Sequence, residues 1–533
     1  MKAKNQLKKL SVWVLIIAMM SMSGCTKNND EGIIEKPVEE STVPEIEEPA
    51  KIYKVQVDTF DLGPRTYIAQ GGKELPYQLG GIMAVPEGEG KFPLILVTHG
   101  SHESENKENR FDTGFEYLVT ALAEKGYVAI SLDVRNAYIW EYGDGNDNEK
   151  IRVMTHEHLQ ALKAANEGLE KGYPINLQDK IDFENVGLIG HSRGGKTVFD
   201  IANDQRREGV KVRSILAIAP TFDDVQGDDW PDVDTAILIP EYDGDVNDLA
   251  GFEIYNRMKM EEHTGFVSLT LLEKANHNYF NSNIELNDTM QLGEGYEDQL
   301  TREDQELFLR QFAIEFLDAS IKDKVQNTLY DVNRPSPKEL YGYSVKTSLD
   351  TPNEVPLIDL TQYETLKEAW FYKYDEIQGF NTPILGNPEE GVKDLISITW
   401  NELGTKQVFI PVQKDFSNQK SLRIEIAQDP SHEFAIVGQT QGFTLQLIDA
   451  KGNSASVDVV DEAALRYVKG ELEFTEIEGK NYYFWSNFTP LTDMHIPLKQ
   501  FEGIDLSNIE KIVFVFDKTP SGAVLIESMS LLK

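Results

Sequence analysis

The sequence predicts an α/β fold built on a doubly wound parallel sheet, followed by an all-β sandwich. Three observations support this prediction. Continuous apolar runs such as Phe92–Val97 are typical of strands buried on both faces, and they alternate with helical patterns as far as residue 319. The run before Ser192 leads through a glycine-rich turn into a helix. Beyond residue 400, short β-branched and aromatic runs follow one another without intervening helices.

The first folded domain is expected over residues 51–325. Its first two segments alternate loosely between apolar and polar residues, which is typical of strands at the antiparallel edge of a sheet. The later elements follow the order expected of parallel strands joined by right-handed crossovers. The sequence predicts edge strands at 52–70 and 78–85, inner strands at 92–97, 127–132, 214–219, 236–239 and 266–272, and helices around 149–172, 249–260 and 302–319.

Ser192 lies in the sequence Gly-His-Ser-Arg-Gly, which runs from Gly190 to Gly194. A serine hydroxyl becomes a good nucleophile only when a neighbouring base takes its proton, so the side chain must stand clear of the backbone. Glycines on both sides of the serine allow a strand and a helix to approach closely around a strained residue. Because this pentapeptide joins an apolar strand to a helix, it predicts Ser192 as a catalytic nucleophile.

With the turn at His99 and Gly100, these residues resemble the α/β-hydrolase fold family. Within it, the chain is similar to secreted esterases of the dienelactone hydrolase and cutinase or polyester hydrolase type. The resemblance covers roughly residues 52–324. It implies a Ser-His-Asp triad whose members occur in the chain order Ser, Asp, His. We expect neither a metal nor a cofactor.

The resemblance also implies where the other two triad members lie. The acid should follow the strand at 236–239, where Asp243 fits the family's spacing and Asp245 is the alternative. The histidine should follow the last strand of the sheet, and His277 stands there. The acid would hold the tautomer of the imidazole and stabilise its protonated form.

An oxyanion hole and a substrate pocket complete the predicted site. By family pattern the oxyanion donors are the backbone N–H groups of Arg193 and Ser101, with His102 next in line for the second donor. His99 is expected to support this turn. The aromatic loop after the second inner strand is interpreted as lining the pocket or merely covering the sheet. The predicted pocket residues are His99, Tyr138, Trp140 and Tyr142.

The N-terminal segment predicts export. Lysines precede an apolar run that is shorter than the roughly 20 residues of a membrane-spanning helix, so residues 1–24 are predicted to be a signal peptide. The sequence Met22-Ser23-Gly24-Cys25 resembles the bacterial lipoprotein box, which implies lipid on Cys25 and a location on the outer face of a bacterial membrane. A simple secretory signal is the alternative. Residues 25–50, rich in Glu and Pro, are predicted to be an extended tether.

The formal net charge of −38 argues against nucleic acid as a partner, because a phosphate backbone requires basic patches. Residues 326–400 are expected to hold a connecting segment and the first strands of the second domain, and residues 401–533 a β-sandwich. The closing segment, 509–532, resembles the last strands of jelly-roll carbohydrate-binding modules, which commonly carry an aspartate near the positions of Glu527 and Ser528. Contact with polysaccharide or the cell wall is one interpretation, and a purely structural module is the other.

Taken together, the sequence predicts a lipid-anchored serine hydrolase that cleaves a carboxylic ester through an acyl-enzyme. The same triad can cleave amides, so a peptidase or amidase is the alternative within enzymes. A surface glycan-binding protein with an inactive hydrolase domain is the alternative from another class.

Overall fold

The computed structural model describes residues 51–533 with gaps at 70–71, 103–108, 140–146, 223–229, 248, 326–328, 359–365, 369–393, 405, 430–431, 435–437, 467–471, 478–479 and 486–490. The predicted signal peptide, Cys25 and the tether lie outside these residues. Within them, no helix combines the length and the apolar character needed to cross a membrane.

A mixed ten-stranded sheet forms the centre of the first domain. Its strands are β1 (Val55–Ile68), β2 (Glu74–Pro86), β3 (Phe92–Thr98), β4 (Val128–Leu132), β5 (Ile181–His191), β6 (Val212–Ile218), β7 (Asp234–Pro240), β8 (Val267–Leu272), β9 (Glu339–Leu340) and β10 (Tyr343–Asp350). They lie in the order β1-β2-β4-β3-β5-β6-β7-β8-β10-β9. Strands β3 to β8 pair in parallel, whereas the four outer strands are antiparallel to their neighbours. The predicted parallel centre and antiparallel edge are therefore confirmed.

Helices cover both faces of this sheet. They are α1 (Glu116–Glu124), α2 (Asp147–Asn166), α3 (Arg193–Arg207), α4 (Gly251–Met258) and α5 (Arg302–Lys322). Along β3, Ile95 and Val97 share an apolar core with α1 and α5, whereas Leu94 and Leu96 share the other core with α2, α3 and α4. Successive side chains of a strand point to opposite faces, so the continuous apolar run of β3 supplies both cores. The first domain thus has an α/β-hydrolase-like fold.

The C-terminal part is all-β. Its strands are β11 (Val355–Pro356), β12 (Leu366–Glu368), β13 (Asp394–Trp400), β14 (Gln407–Lys414), β15 (Ser421–Gln428), β16 (Phe443–Asp449), β17 (Ser454–Val459), β18 (Leu472–Ile477), β19 (Lys480–Trp485), β20 (Thr492–Pro497), β21 (Ile509–Val515) and β22 (Gly522–Leu532). A six-stranded sheet in the order β12-β13-β22-β15-β20, with β11 beside β22, and a four-stranded sheet in the order β14-β21-β16-β17 share one apolar core. This arrangement is a β-sandwich, and its jelly-roll topology stays a prediction.

One boundary differs from the prediction. The segment 326–400 was expected to hold only a connector and strands of the second domain, but β10 belongs to the first sheet. It pairs antiparallel with β8, with Val345 opposite Leu272. The exposed edge of a strand offers unpaired N–H and C=O groups, and here the chain that leaves α5 returns to cover that edge. The second domain's strands begin only with β11.

A buried ion cluster joins the two domains. Arg423 of β15 is 5% exposed, and its Nε donates to Asp493 of β20 at 2.8 Å. Its Nη1 donates to Glu354 at 3.0 Å, and its Nη2 donates to the hydroxyl of Tyr255 on α4 at 3.3 Å. Because its partners come from both domains, Arg423 ties the sandwich to the hydrolase domain.

Lys259, directly after α4, extends this interface. Its Nζ lies 2.8 Å from a carboxylate oxygen of Glu425 and 3.3 Å from one of Glu527. The hydroxyl of Ser528 donates to Glu425 at 3.0 Å. Glu527 and Ser528, near whose positions jelly-roll carbohydrate-binding modules commonly carry an aspartate, therefore lie at the interface with the first domain.

A second contact involves Lys346 of β10, whose side chain is fully buried. Its Nζ donates to the backbone carbonyl of Ala463 and, at 2.7 Å, to that of Arg466. The guanidinium of Arg466 forms an ion pair with Glu273 at the end of β8. The second domain thus contacts the strand that precedes the loop carrying His277.

Candidate active site

Ser192 occupies a strained turn between β5 and α3. Its backbone has φ 59° and ψ −126°, a left-handed conformation that is unusual for any residue except glycine. A Cβ at Gly190 would overlap the carbonyl oxygen of Gly194, and one at Gly194 would lie 2.7 Å from the carbonyl oxygen of His99. Only glycine fits at both positions, so the turn brings strand and helix together around Ser192.

The turn after β3 packs directly against the nucleophile. A Cβ at Gly100 would lie 2.5 Å from the Cβ of Ser192, which leaves no room for a side chain. Ser101 follows in this turn, and Arg193 is the first residue of α3. The first N–H groups of a helix have no intrahelical acceptor and carry partial positive charge, which suits an oxyanion. The assignment of Arg193 and Ser101 as donors stays a prediction.

His99 supports this turn from inside the protein. Its Nδ1 donates to the carbonyl of Gly100 at 2.8 Å, and its Nε2 accepts from the N–H of Val134 at 3.1 Å. The hydroxyl of Tyr138 donates to the carbonyl of His99 at 3.1 Å. Burial lowers the pKa of His99 to about 4, so the ring is neutral. His99 and Tyr138 are buried and brace this turn, and their assignment to a substrate pocket stays a prediction. Trp140 and Tyr142 lie outside the described residues.

Asp243 and His277 come together at the ends of β7 and β8. The Nδ1 of His277 lies 2.9 Å from Oδ2 of Asp243, and both side chains are buried. The other oxygen, Oδ1, accepts from the N–H groups of Asp245 and Val246 at 3.0 and 2.6 Å. These bonds fix the carboxylate so that it faces the imidazole. Asp245 lies instead 3.6 Å from Nε2 and its side chain is 46% exposed, so the geometry favours Asp243 as the orienting acid.

His277 lies beside the residue that precedes the nucleophile. The Nε2 of His191 donates to the carbonyl of His277 at 3.0 Å, and the two rings are 4.7 Å apart. The ring of His102 stacks on that of His191 at 5.6 Å. Among the described residues, Nε2 of His277 has no hydrogen-bond partner, so its bond to Ser192 is not formed in this structure. Such bonds are often long in proteins without substrate.

Two residues outside the predicted set contact His277. His191 could have been identified from the sequence as a site residue, because it stands immediately before Ser192 within the glycine-rich motif. Asp288, whose carboxylate accepts from the N–H of His277 at 3.0 Å, could not, because the sequence around its short helical turn has no recognisable pattern. Contacts of this kind depend on tertiary structure alone.

Three carboxylates set the protonation of His277. Burial alone would lower the pKa of its imidazole, but Asp243, which is also its hydrogen-bond partner, together with Asp245 and Asp288 raises the pKa to about 9. The neighbouring His191 has a pKa well below its usual value, because it is buried and close to His277 and His102. At neutral pH a positive charge at this position is therefore favoured on His277 and not on His191.

This charge predicts an alkaline pH dependence. A protonated imidazole cannot accept the serine proton, so kcat/KM for an ester should rise with pH, and the midpoint of the rise should lie near pH 9. Asp245→Asn removes a negative charge near Nε2 and should move this rising limb to lower pH by about 0.5–1 unit. Rates measured from pH 6 to 10 at constant ionic strength, after subtraction of alkaline hydrolysis, test both statements. A midpoint near 6.5, or one that Asp245→Asn leaves in place, would contradict them.

Residues 55–232 match the model of the chlorophyllase family. This match includes Ser192 but ends before Asp243 and His277. No curated protein matches the chain significantly.

Several solved structures are similar to part of this chain. A ferulic acid esterase from Streptomyces cinnamoneus is 12% identical, with 54% of this chain and 95% of that one covered and a TM-score of 0.39. A hyperthermophilic esterase from the archaeon Pyrobaculum calidifontis is 14% identical, with coverages of 52% and 86% and a TM-score of 0.30. A dienelactone hydrolase-like promiscuous phosphotriesterase from metagenomic libraries is 17% identical, with coverages of 43% and 85% and a TM-score of 0.28.

Proposed function

We propose that this protein is a serine hydrolase that cleaves carboxylic esters. The observation that carries the proposal is the buried Asp243–His277 pair, whose Nδ1 to Oδ2 distance is 2.9 Å and which contacts His191, the residue directly before the strained Ser192. The match of residues 55–232 to the chlorophyllase family supports the hydrolase class.

The reaction follows from the position of each group. The Oγ of Ser192 bonds to the ester carbonyl carbon while Nε2 of His277 takes the hydroxyl proton. This step requires the serine side chain to turn towards Nε2 when substrate binds. The oxygen that becomes negative is stabilised by the N–H groups of Arg193 and Ser101. When the tetrahedral intermediate collapses, the alcohol leaves with the proton from Nε2, and Ser192 keeps the acyl group.

Deacylation repeats these steps with water. Nε2 of His277 takes a proton from a water molecule that attacks the acyl carbon, and Ser192 recovers its proton as the carboxylic acid leaves. Throughout, Asp243 keeps the ring proton of His277 on Nδ1 and stabilises the imidazolium.

Labelling with a fluorophosphonate probe tests this proposal. The probe reacts covalently with an activated serine, so the wild type should be labelled and Ser192→Ala should not. Intact mass measurement of the labelled protein would show a single adduct, and peptide mapping would place it on Ser192. An unlabelled wild type that binds polysaccharide would support the glycan-binding alternative instead. Turnover of aminoacyl amides in preference to esters would support the amidase alternative.

For the location, we propose export and attachment to the outer face of a bacterial membrane through lipid on Cys25. The apolar run and the Met22–Cys25 sequence support this proposal. The same labelling, carried out on intact cells with a probe that does not cross membranes, would reach an enzyme at this location. Cys25→Ser would release the labelled protein into the medium if lipid is the anchor.

A further inference from the structure

A second buried carboxylate connects the two loops that carry Asp243 and His277. Asp288 is completely buried, and its Oδ2 accepts from the N–H of Gly244 at 2.8 Å and from the N–H of His277 at 3.0 Å. Its Oδ1 accepts from the N–H of Asn278 at 3.0 Å. One side chain thus binds the backbone immediately after the acid and the backbone of the base itself.

The backbone of Asp288 also touches the acid loop. A Cβ at Gly244 would overlap the carbonyl oxygen of Asp288, so only glycine allows the two segments to come this close. Asn287 caps the short helical turn Asp288–Gln291 by accepting from the N–H of Thr289 at 3.1 Å, and it also accepts from the side chain of Asn276 at 3.2 Å. Asp288 therefore projects from a turn that is itself fixed.

The charge of Asp288 is balanced by these amides and by the imidazole. Among the described residues, no lysine or arginine forms an ion pair with it. On balance the pKa of Asp288 is raised, because burial, the largest cause, and the nearby Asp243 outweigh the lowering by His277 and by the N–H groups of Gly244 and Asn278. Hydrogen bonds from backbone N–H groups stabilise a buried carboxylate in the absence of a cation.

We propose that Asp288 is a positioning residue of the active site, which fixes the carboxylate of Asp243 and the imidazole of His277 relative to each other by holding their loops together. The proposal rests on the proposed function. It predicts that the three backbone bonds matter for the rate of the chemical step, because an error of about 1 Å in the position of a catalytic group can cost 10²-fold in rate.

Asp288→Asn is the substitution that tests this proposal most directly. An asparagine keeps the size of the side chain but has one acceptor oxygen, so its NH₂ group must face at least one N–H donor. If the amide oxygen takes the place of Oδ2, the bond to the N–H of Asn278 is lost; if it takes the place of Oδ1, the bonds to the N–H groups of Gly244 and His277 are lost. We expect kcat to fall about 100-fold while KM changes less than about threefold, since no substrate contact is removed.

The chain offers a matched control in Asp449 of the sandwich. Asp449 is also completely buried, and its carboxylate accepts from the N–H groups of Lys451 and Asn453 at 2.9 Å each and of Asp505 at 3.2 Å. Asp449→Asn therefore removes the same kind of bond far along the chain from the triad. Both variants should lower the midpoint of urea unfolding, but only Asp288→Asn should lower kcat.

The pH–rate profile supplies a second readout that a merely structural role would not change. The groups facing His277 are Asp243, Asp245, Asp288, His191 and His102, and three of them are carboxylates. Removing one negative charge should shift the rising limb to lower pH by about half a unit. Asp449→Asn should leave the limb where it is.

If Asp288→Asn does not fold, Asn287→Ala weakens the same turn and keeps the carboxylate. It should lower kcat about 5- to 10-fold and leave the rising limb unmoved. A kcat within threefold of the wild type in the folded Asp288→Asn protein, or in Asn287→Ala where the former does not fold, overturns the proposal. The variants are compared only if the fluorophosphonate labels Ser192 in the wild type. Failure of the proposed function is thereby distinguished from failure of the positioning proposal.

Discussion

Replacing Asp243 by asparagine is expected to lower kcat/KM for an ester by about 10³- to 10⁴-fold. Oδ1 of Asp243 accepts from the N–H groups of Asp245 and Val246, so the carbonyl oxygen of an asparagine should take that position. Its NH₂ group would then face Nδ1 of His277, which must become an acceptor. The ring proton moves to Nε2, and that nitrogen can no longer accept the proton of Ser192.

Asp245→Asn is the control for Asp243→Asn. Asp245 lies near Nε2 and does not orient Nδ1, so its replacement should keep kcat/KM within about threefold at a pH where His277 is neutral. Steady-state rates of both variants at pH 9.5, with circular dichroism to confirm folding, provide the measurement. A larger loss in Asp245→Asn than in Asp243→Asn would show that the acid has been assigned to the wrong residue.

Arg423→Ala is expected to lower the free energy of unfolding by about 3–5 kcal/mol. The guanidinium is 5% exposed and lies 2.8 Å from Asp493 and 3.0 Å from Glu354. Its removal leaves these carboxylates in a buried interface without their cation, and an unpaired buried charge is costly. Since Tyr255 of α4 also contacts Arg423, the loss should loosen the contact between the two domains.

Urea unfolding followed by tryptophan fluorescence measures this effect. Lys451→Ala is the control, because Lys451 pairs with Asp505 at 2.9 Å but is 72% exposed. Exposed ion pairs contribute little, so this variant should stay within about 1 kcal/mol of the wild type. If the free energy of unfolding of Arg423→Ala also stays within about 1 kcal/mol of the wild type, the cluster does not hold the domains together.

The strands and helices of the first domain could be predicted because their signals are local. The apolar run of β3 and the glycines around Ser192 each specify a conformation within a few residues. The positions of Asp243 and His277 after β7 and β8 are implied by the resemblance to the α/β-hydrolase fold family, whose triad occurs in the chain order Ser, Asp, His. In the structure, Nδ1 of His277 lies 2.9 Å from Oδ2 of Asp243.

Other features depend on contacts between distant segments. The edge strand β10 has the same pattern as a strand of the second domain, and only its register with β8 assigns it to the first sheet. The contacts by which His99 and Tyr138 brace the turn after β3 join segments that are far apart in the chain. Asp288 has no local signature, because its function depends on two loops that fold against it.

The buried polar contacts between the two domains limit how this chain can be rebuilt. Grafting a different β-sandwich onto the first domain would leave Lys346 without its two carbonyl acceptors and Glu273 without Arg466. Asp350, at the end of β10, would lose the nearby guanidinium of Arg423 at the same time. A replacement sandwich would therefore need groups of matching charge at these positions.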